Sequence, residues 1–163
     1  MRMGEGVEWG LHCCLTLAWL DNGPVPSGKL AALFDISPTY LNKCLQRLVR
    51  AEILTSMPGA RGGVQLARAP EDITLMDVVA ALEGRETLFC CTEIRQQGAA
   101  GAETSAREFA QPCGIATAMR RAELAWRREL AGQTIADLMA SAPTTSARRI
   151  RRSYDHVSAR PGV

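Results

Sequence analysis

The chain has 163 residues, is 47% hydrophobic and 5% aromatic, and carries six cysteines with a formal net charge of +2. That length buries one core with appendages, and no segment approaches the roughly 18 apolar residues that cross a membrane. Six cysteines in a helical chain with a DNA-binding pattern read as reduced cytoplasmic thiols or metal ligands, not as a secreted disulfide framework.

Residues 6–20 read as a first helix. Trp9, His12, Cys13, Thr16, Ala18 and Leu20 mix apolar and polar types, so much of its circumference is expected to be buried. The apolar run 11–20 has the length of a signal peptide. His12, Cys13 and Cys14 interrupt it, however, only Arg2 precedes it, and no small-x-small cleavage site follows. Cys13 and Cys14 read as small buried hydrophobes. Glu8, early in this helix, reads as a solvated carboxylate favoured by the helix dipole. Asp21-Asn22-Gly23-Pro24 then breaks the helix.

Residues 24–66 carry the strongest pattern. A short helix over about 27–34 places Leu30, Leu33 and Phe34 on one side. Asp35-Ile36-Ser37-Pro38 must turn sharply, because Pro38 disfavours helix at Ser37. Ser37 caps a second helix and Pro38 suits its first turn, where no backbone N–H is needed. Leu41, Cys44, Leu45 and Leu48 recur at i, i+3, i+4, i+7, one apolar face. The other face holds Thr39, Asn42, Lys43, Gln46 and Arg50, short hydrogen bonders and cations of the kinds that read base edges and grip phosphates. This is a helix-turn-helix layout.

Ile53-Leu54-Thr55-Ser56 and Val64-Gln65-Leu66 read as short strands around the turn Pro58-Gly59-Ala60-Arg61-Gly62-Gly63, whose glycines can adopt positive φ. Arg61 at the tip, with no bulky neighbours, fits a narrow minor groove. The predicted fold class is mainly α: a winged helix-turn-helix with a two-stranded wing, plus a long C-terminal dimerisation helix.

After a polar connector at 68–72, Thr74 and Asp77 form a capping pattern. The helix they open has Leu75, Val78, Val79 and Leu82 on one face and ends near Gly84. Residues 98–106 are small and polar and are expected to be loop. Gln111-Pro112-Cys113-Gly114 opens a long helix over 114–131, and a Cys113 thiolate there would be favoured by the dipole and free N–H groups. Cys90, Cys91 and Cys113 are the candidate sensor thiols, set against the plainer reading of loop thiols and a buried helix start. Ile115, Ala118, Met119, Ala122, Ala125 and Trp126 form a stripe suited to packing against a second copy, or to ordinary intrachain packing. Glu123 and Arg127 pair at i, i+4 on the expected exposed side. Thr134 and Asp137 repeat the cap pattern before a last short helix.

Three segments follow: a DNA-binding domain over 1–84, a sensor loop and dimerisation helix over 85–140, and a basic tail over 141–163 expected to be disordered. The modest net charge is unevenly placed. Between 37 and 68, Lys43, Arg47, Arg50, Arg61 and Arg68 face only Glu52, and in the tail Arg148, Arg149, Arg151, Arg152 and Arg160 face only Asp155. The tail arginines add phosphate contacts or simply aid solubility.

The stretches SPTYL, GARGGVQLARAP with the following EDITLMDVVAALEG, and TIADL near the end resemble the IscR/NsrR-type winged-helix regulators, the Rrf-two family, over about residues 6–139. The resemblance implies a homodimeric DNA-binding repressor or activator. It implies that Ser37, Thr39, Tyr40, Asn42, Lys43 and Gln46 lie in the major groove, and that Arg61 and Gly62 enter the minor groove. Many members sense through an iron–sulfur cluster, others through thiols or a small ligand. GVEWGLHCC with CCTEIRQQG looks most like a redox-sensing branch holding a two-iron two-sulfur cluster between subunits. Of that branch's ligands Glu8 and Cys113 match, while Cys90 or Cys91 matches the first of the three loop cysteines common in the family; a cluster here could use Glu8, Cys91, Cys113 and His12. Phe34 stands where that branch has a His, and a partner cysteine is replaced near Ser105.

The leading expectation is a homodimeric, cytoplasmic transcription regulator, a redox- or ligand-responsive repressor switched through the loop between Cys90 and Cys113. Its partner is double-stranded DNA bearing a pseudo-palindromic operator. The alternatives are an iron–sulfur sensor with atypical ligands and, in another class, a winged-helix protein-interaction module without DNA binding. An enzyme is not expected: there is no Cys-x-x-Cys, no His beyond His12 and His156, no phosphate loop and no paired catalytic carboxylates.

Overall fold

The computed structural model describes residues 3–59, 62–102 and 105–159. Contacts divide the chain into two compact units: Glu86–Glu129, and the described residues on either side of it, which fold together.

In the larger unit α1 (Glu5–Leu20) lacks a side-chain cap of its own, but Gly4 N–H donates to Glu83 Oε1 at 3.0 Å. It buries Val7, Cys13, Cys14, Thr16, Leu17 and Leu20, the broad burial its mixed composition implied. Gly10 allows α4 (Leu75–Glu83) to approach, since a Cβ there would lie 2.5 Å from Leu82 Cδ1. Asp21 ends α1 in the left-handed region at φ 40°. Asp35 ends α2 (Ser27–Phe34) the same way, and its N–H donates to Ala31 O.

Ser37 Oγ then accepts from Tyr40 N–H at 3.4 Å, with Pro38 opening α3 (Pro38–Arg50). Leu41, Cys44, Leu45 and Leu48 are the buried face of α3, as their spacing predicted. Fully burying a side chain such as Leu41 or Leu48 contributes about 2 kcal/mol.

The wing pairs β1 (Leu54–Met57) with β2 (Gly63–Leu66) antiparallel, Ser56 opposite Val64. β1 starts one residue later than expected because Ile53 N–H is taken by Leu48 O at 3.0 Å as the chain leaves α3. Val25 adds a third short rung: Val25 N–H donates to Val64 O and Val64 N–H to Val25 O, both at 2.9 Å. The glycines of the turn divide their roles. Gly59 (φ 101°) and Gly63 (φ 153°) take positive φ, whereas Gly62 is held by space, a Cβ there falling 2.2 Å from Met57 O.

Thr74 and Asp77 cap α4 reciprocally, and Thr134 and Asp137 do the same for α7 (Ile135–Ser141). Leu75 N–H donates to Gln133 O and Ile135 N–H to Ile73 O, both at 2.9 Å, so the two caps are joined. The expectation of a disordered tail over 141–163 fails where the tail is described. Ser146–Ser158 form α8, packed on α1 and α2. Ala147, Ile150, Tyr154 and Val157 share its sheltered side. Four such positions recur at i, i+3, i+7, i+10, a period hidden in the sequence by the surrounding arginines.

The smaller unit holds a helical turn at Ile94–Gln96, α5 (Gly98–Ala102), a second turn at Ala106–Phe109, and most of α6 (Gly114–Ala131). The loop expected over 98–106 is therefore helical over its first five residues, where alanine's high helix propensity prevails. α6 has the predicted bounds. Glu123, expected on the exposed side, is instead buried. It accepts from Leu88 N–H at 3.2 Å and Arg127 Nε at 2.9 Å, while Arg127 also donates to Glu86 O at 3.0 Å. The pair pins the incoming backbone against α6, which is why it is withdrawn from solvent.

No helix among the described residues is long and apolar enough to cross a membrane.

Candidate nucleic-acid interface and thiol site

The face of α3 opposite its buried leucines presents Thr39, Tyr40, Asn42, Lys43, Gln46 and Arg50, all exposed, with Ser37 exposed at the cap. Asn42, Gln46 and Arg50 share a shallow cleft of about 310 Å³ with Ser56 of β1. Tyr40 is also structural. Its ring meets Trp9 edge-on at 5.0 Å, which fixes the first turn of α3 against α1.

The positive charge counted along this region is not all available. Arg47 donates to Leu82 O at the end of α4, and Arg68 donates to Glu52 O and Asp72 O and pairs with Asp77 at 3.7 Å. Lys43 and Arg50 carry no ion pair among the described residues. Arg61 lies outside the described residues. Gly62 N–H donates to Gly59 O at 2.9 Å, closing the turn at the wing tip.

In the smaller unit the loop thiols separate. Cys91 Sγ, a Glu93 carboxylate oxygen and Cys113 Sγ all lie within 4.8 Å of one another. Cys91 donates to Glu93 Oε1 at 3.3 Å, and Arg95 clamps the same carboxylate, 2.6 Å from Oε2. The Arg95 bond, with that from Cys91, holds the Glu93 carboxyl below its ordinary value. Glu93 sits in the left-handed region at φ 49°, and this backbone turn folds its side chain back to the thiols.

Cys113 immediately precedes α6. The backbone N–H groups of Ala116 and Ile115 hold its thiol below the ordinary value, with the Cys91 hydrogen bond and the Arg95 charge adding to them. Cys91 is pushed the other way. The Glu93 backbone N–H favours its thiolate, but the Glu93 carboxylate, burial and the Cys113 contact together outweigh it. The result is a graded pair, the Cys113 thiol held below its ordinary value and the Cys91 thiol above it.

Cys90 is not part of this group; it is exposed, with Thr87 Oγ1 3.8 Å from its sulfur. Glu8 belongs to the other unit. It is exposed on α1, along a groove of about 580 Å³ that it lines with Glu5, Leu11, His12 and Leu15. Cys13 and Cys14 are fully buried, and burial raises both thiols, Cys14 to about 12, so neither supplies a thiolate. Phe34, in place of the expected His, packs its ring 5.8 Å from His12.

Sequence reasoning misses Glu93 and Arg95. The available signal is the spacing Cys-x-Glu-x-Arg, which gains meaning only once the turn at Glu93 is known.

Tetrahedral metal bonds of about 2.3 Å to sulfur and 2.0 Å to oxygen separate ligand atoms by roughly 3.5–3.8 Å. The Cys91–Glu93–Cys113 group has its ligand atoms within 4.8 Å of one another, so a small contraction would bring them to the separations of three ligands on one metal ion. For a two-iron cluster it offers Cys91 and Cys113 to one iron, and the second iron would need ligands from outside this group.

The profile of the family Rrf2, described as "Iron-dependent Transcriptional regulator", matches residues 3–141. YwgB of Bacillus subtilis (strain 168), described as an HTH-type transcriptional regulator, is 31% identical over 140 residues, covering 85% of each chain. Among solved structures, IscR of T. potens superposes with a TM-score of 0.66 at 21% identity, covering 90% of this chain and 91% of that one. CymR (YrzC), the global cysteine regulator of B. subtilis, gives 0.65 at 22% identity, covering 88% and 99%. The fold is shared with both, and with the helix-turn-helix, the wing and the matched profile in place, the chain belongs to the Rrf2 family of transcriptional regulators.

Proposed function

We propose that this chain is a homodimeric DNA-binding repressor whose operator affinity is set by redox or ligand chemistry in the loop between Cys90 and Cys113. The observation that carries the switch is the convergence of Cys91, Glu93 and Cys113 at the start of α6. In this reading α3 enters the major groove with Ser37, Thr39, Tyr40, Asn42, Lys43, Gln46 and Arg50, and the wing brings Arg61 and Gly62 to the minor groove. Self-association is supported by α6. Ile115 and Met119, one turn apart on its apolar stripe, are 67% and 43% exposed on a helix that buries only Glu123. A two-fold dimer sets two recognition helices about one DNA turn apart, which calls for a pseudo-palindromic operator.

As a thiol switch, the chemistry balances with a peroxide as oxidant. The Cys113 thiolate attacks a peroxide oxygen and expels hydroxide or alkoxide. The Cys91 sulfur then attacks the resulting sulfenic acid, a disulfide forms and water leaves. The second reading, an iron–sulfur sensor, is favoured by the closeness of the two cysteine sulfurs and by the iron-dependent description of the family.

Protein purified without oxygen is assayed for visible absorption, iron and sulfide, and its DNA affinity is measured before and after peroxide. Stoichiometric iron and sulfide, lost in Cys91→Ser and Cys113→Ser, select the cluster. A colourless protein that loses two hydrogens in mass and shifts its DNA affinity selects the disulfide. A DNA affinity indifferent to both treatments and both substitutions overturns the switch. A chain that binds no duplex at all would leave the third class, a winged helix for protein contacts alone.

A further inference from the structure

The family profile ends at residue 141, and α8 begins at Ser146. This helix is thus an addition to the matched part of the chain, and its construction divides into two faces. One face docks it. Ser146 is buried, Ala147, Ile150, Tyr154 and Val157 are sheltered, and the helix packs on α1 and α2. Two polar contacts fix the docking. Arg151 Nε donates to Trp19 O at 2.8 Å, serving a carbonyl at the C-terminal end of α1, and Lys29 of α2 lies over the Tyr154 ring at 5.7 Å.

The other face carries Arg148, Arg149 and Arg152, all exposed and without an ion pair among the described residues. α8 as a whole has four arginines against Asp155. Three unpaired guanidinium groups within five residues repel one another, so the helix holds a concentration of charge that its own fold does not neutralise.

The position of that charge points to its partner. α2 packs against both α3 and α8 within the same compact unit. In helix-turn-helix docking the first helix crosses the DNA backbone while the second reads the groove. α8 rests on that first helix, its Tyr154 against Lys29 in the first turn of α2.

We propose that α8 is a second DNA-contacting element, whose Arg148, Arg149 and Arg152 grip the phosphates flanking the sequence read by α3. The inference rests on the DNA-binding reading above and deepens it: the site covered on DNA extends past the base pairs that α3 and the wing read. These contacts carry charge and no base information, so they lengthen the footprint and strengthen binding without changing sequence choice.

The test uses the full chain and duplexes it selects from a random-sequence library, prepared with long flanks and trimmed to the selected core. On the long duplex, Arg148→Ala/Arg149→Ala/Arg152→Ala should weaken binding and make the dependence of log affinity on log salt shallower. The slope should change by about 0.9 for each phosphate no longer neutralised, hence by roughly 1 to 3 per protomer. On the trimmed duplex the difference from wild type should vanish, and the selected sequence should not change. Replacing the three residues with lysine should restore most of the slope, and unchanged thermal unfolding of both variants separates the effect from misfolding. An alanine variant with wild-type affinity and salt slope on the long duplex overturns the proposal, as does a variant that loses binding to anionic vesicles while its DNA slope stays unchanged. A wild-type chain that enriches no duplex would refute the DNA-binding reading itself, a distinct outcome.

Discussion

The wing comes into close backbone contact with the body where Gly63 meets Val25, and Gly63→Ala tests that contact. A Cβ at Gly63 would lie 2.3 Å from both the carbonyl carbon and the oxygen of Val25. These are backbone atoms, so no side-chain rotation relieves the clash. Val25 must move, and with it go the two 2.9 Å hydrogen bonds that join it to Val64. Each is worth about 1 kcal/mol net, and the positive φ of 153° adds roughly another for a residue with a Cβ. The expected loss is about 2 to 4 kcal/mol. With a urea slope of about 2 kcal/mol/M for a domain of this size, the midpoint should fall by roughly 1 to 2 M. Amide exchange at Val25 and Val64 should accelerate together, and DNA affinity should fall with the wing displaced. Gly59→Ala is the control: its φ is 101°, but among the described residues no atom beyond its chain neighbours lies within 4 Å of where the alanine methyl would sit, so it should lose only about 1 kcal/mol. Equal losses for the two variants, or a Gly63→Ala protein within about 0.5 kcal/mol of wild type, would refute the steric reasoning.

Lys43→Ala should weaken binding to all duplexes alike and reduce the salt slope by about 1, whereas Asn42→Ala should relax base preference, by about 1 to 3 kcal/mol if it reads an adenine; selection from a random library separates the two. The Cys113 thiol, held down, should alkylate at lower pH than Cys91, which is pushed up, and Arg95→Gln should move the Cys113 profile to higher pH; mass-resolved alkylation across pH reads both, and the reverse order would contradict the geometry. Asp137 is held below its ordinary 3.8 by the Thr134 N–H and hydroxyl. Its contribution is therefore full above that value and disappears as pH falls through the lower folded value, so the stability gap to Asp137→Asn should close on acidification in denaturation series at stepped pH.

The parts of the fold legible in the sequence are those fixed by local periodicity and capping. Ser37-Pro38 with Leu41, Cys44, Leu45 and Leu48 states the start, the direction and the buried face of α3 within twelve residues, and Thr74/Asp77 and Thr134/Asp137 mark helix starts in the same local way. α8 escapes such a reading because its docking face is half alanine and tyrosine among arginines, and its anchors, Trp19 and Lys29, lie more than a hundred residues away. Glu123 is misplaced for a related reason. An i, i+4 pair on a helix looks solvated until the Leu88 and Glu86 backbone groups, which come from the preceding segment, are known to close over it.

The thiol site divides along the same line. That Cys113 stands at a helix start is a local fact, readable from Pro112-Cys113-Gly114 and the stripe that follows, and it carries the prediction of a favoured thiolate with it. Which other groups meet it is a matter of chain reversal. Cys90 and Cys91 are adjacent, yet only Cys91 joins Cys113, because the turn with φ 49° at Glu93 sets the direction of what precedes it. That turn also places a carboxylate and the guanidinium that orients it beside two thiols of opposite tendency. A proton on Cys91 has Glu93 as acceptor at 3.3 Å, and negative charge on Cys113 has the α6 amides and Arg95. That order of charge is what the proposed switch would use, one sulfur that attacks and a neighbour that resolves it, and identical alkylation profiles for the two thiols would count against it.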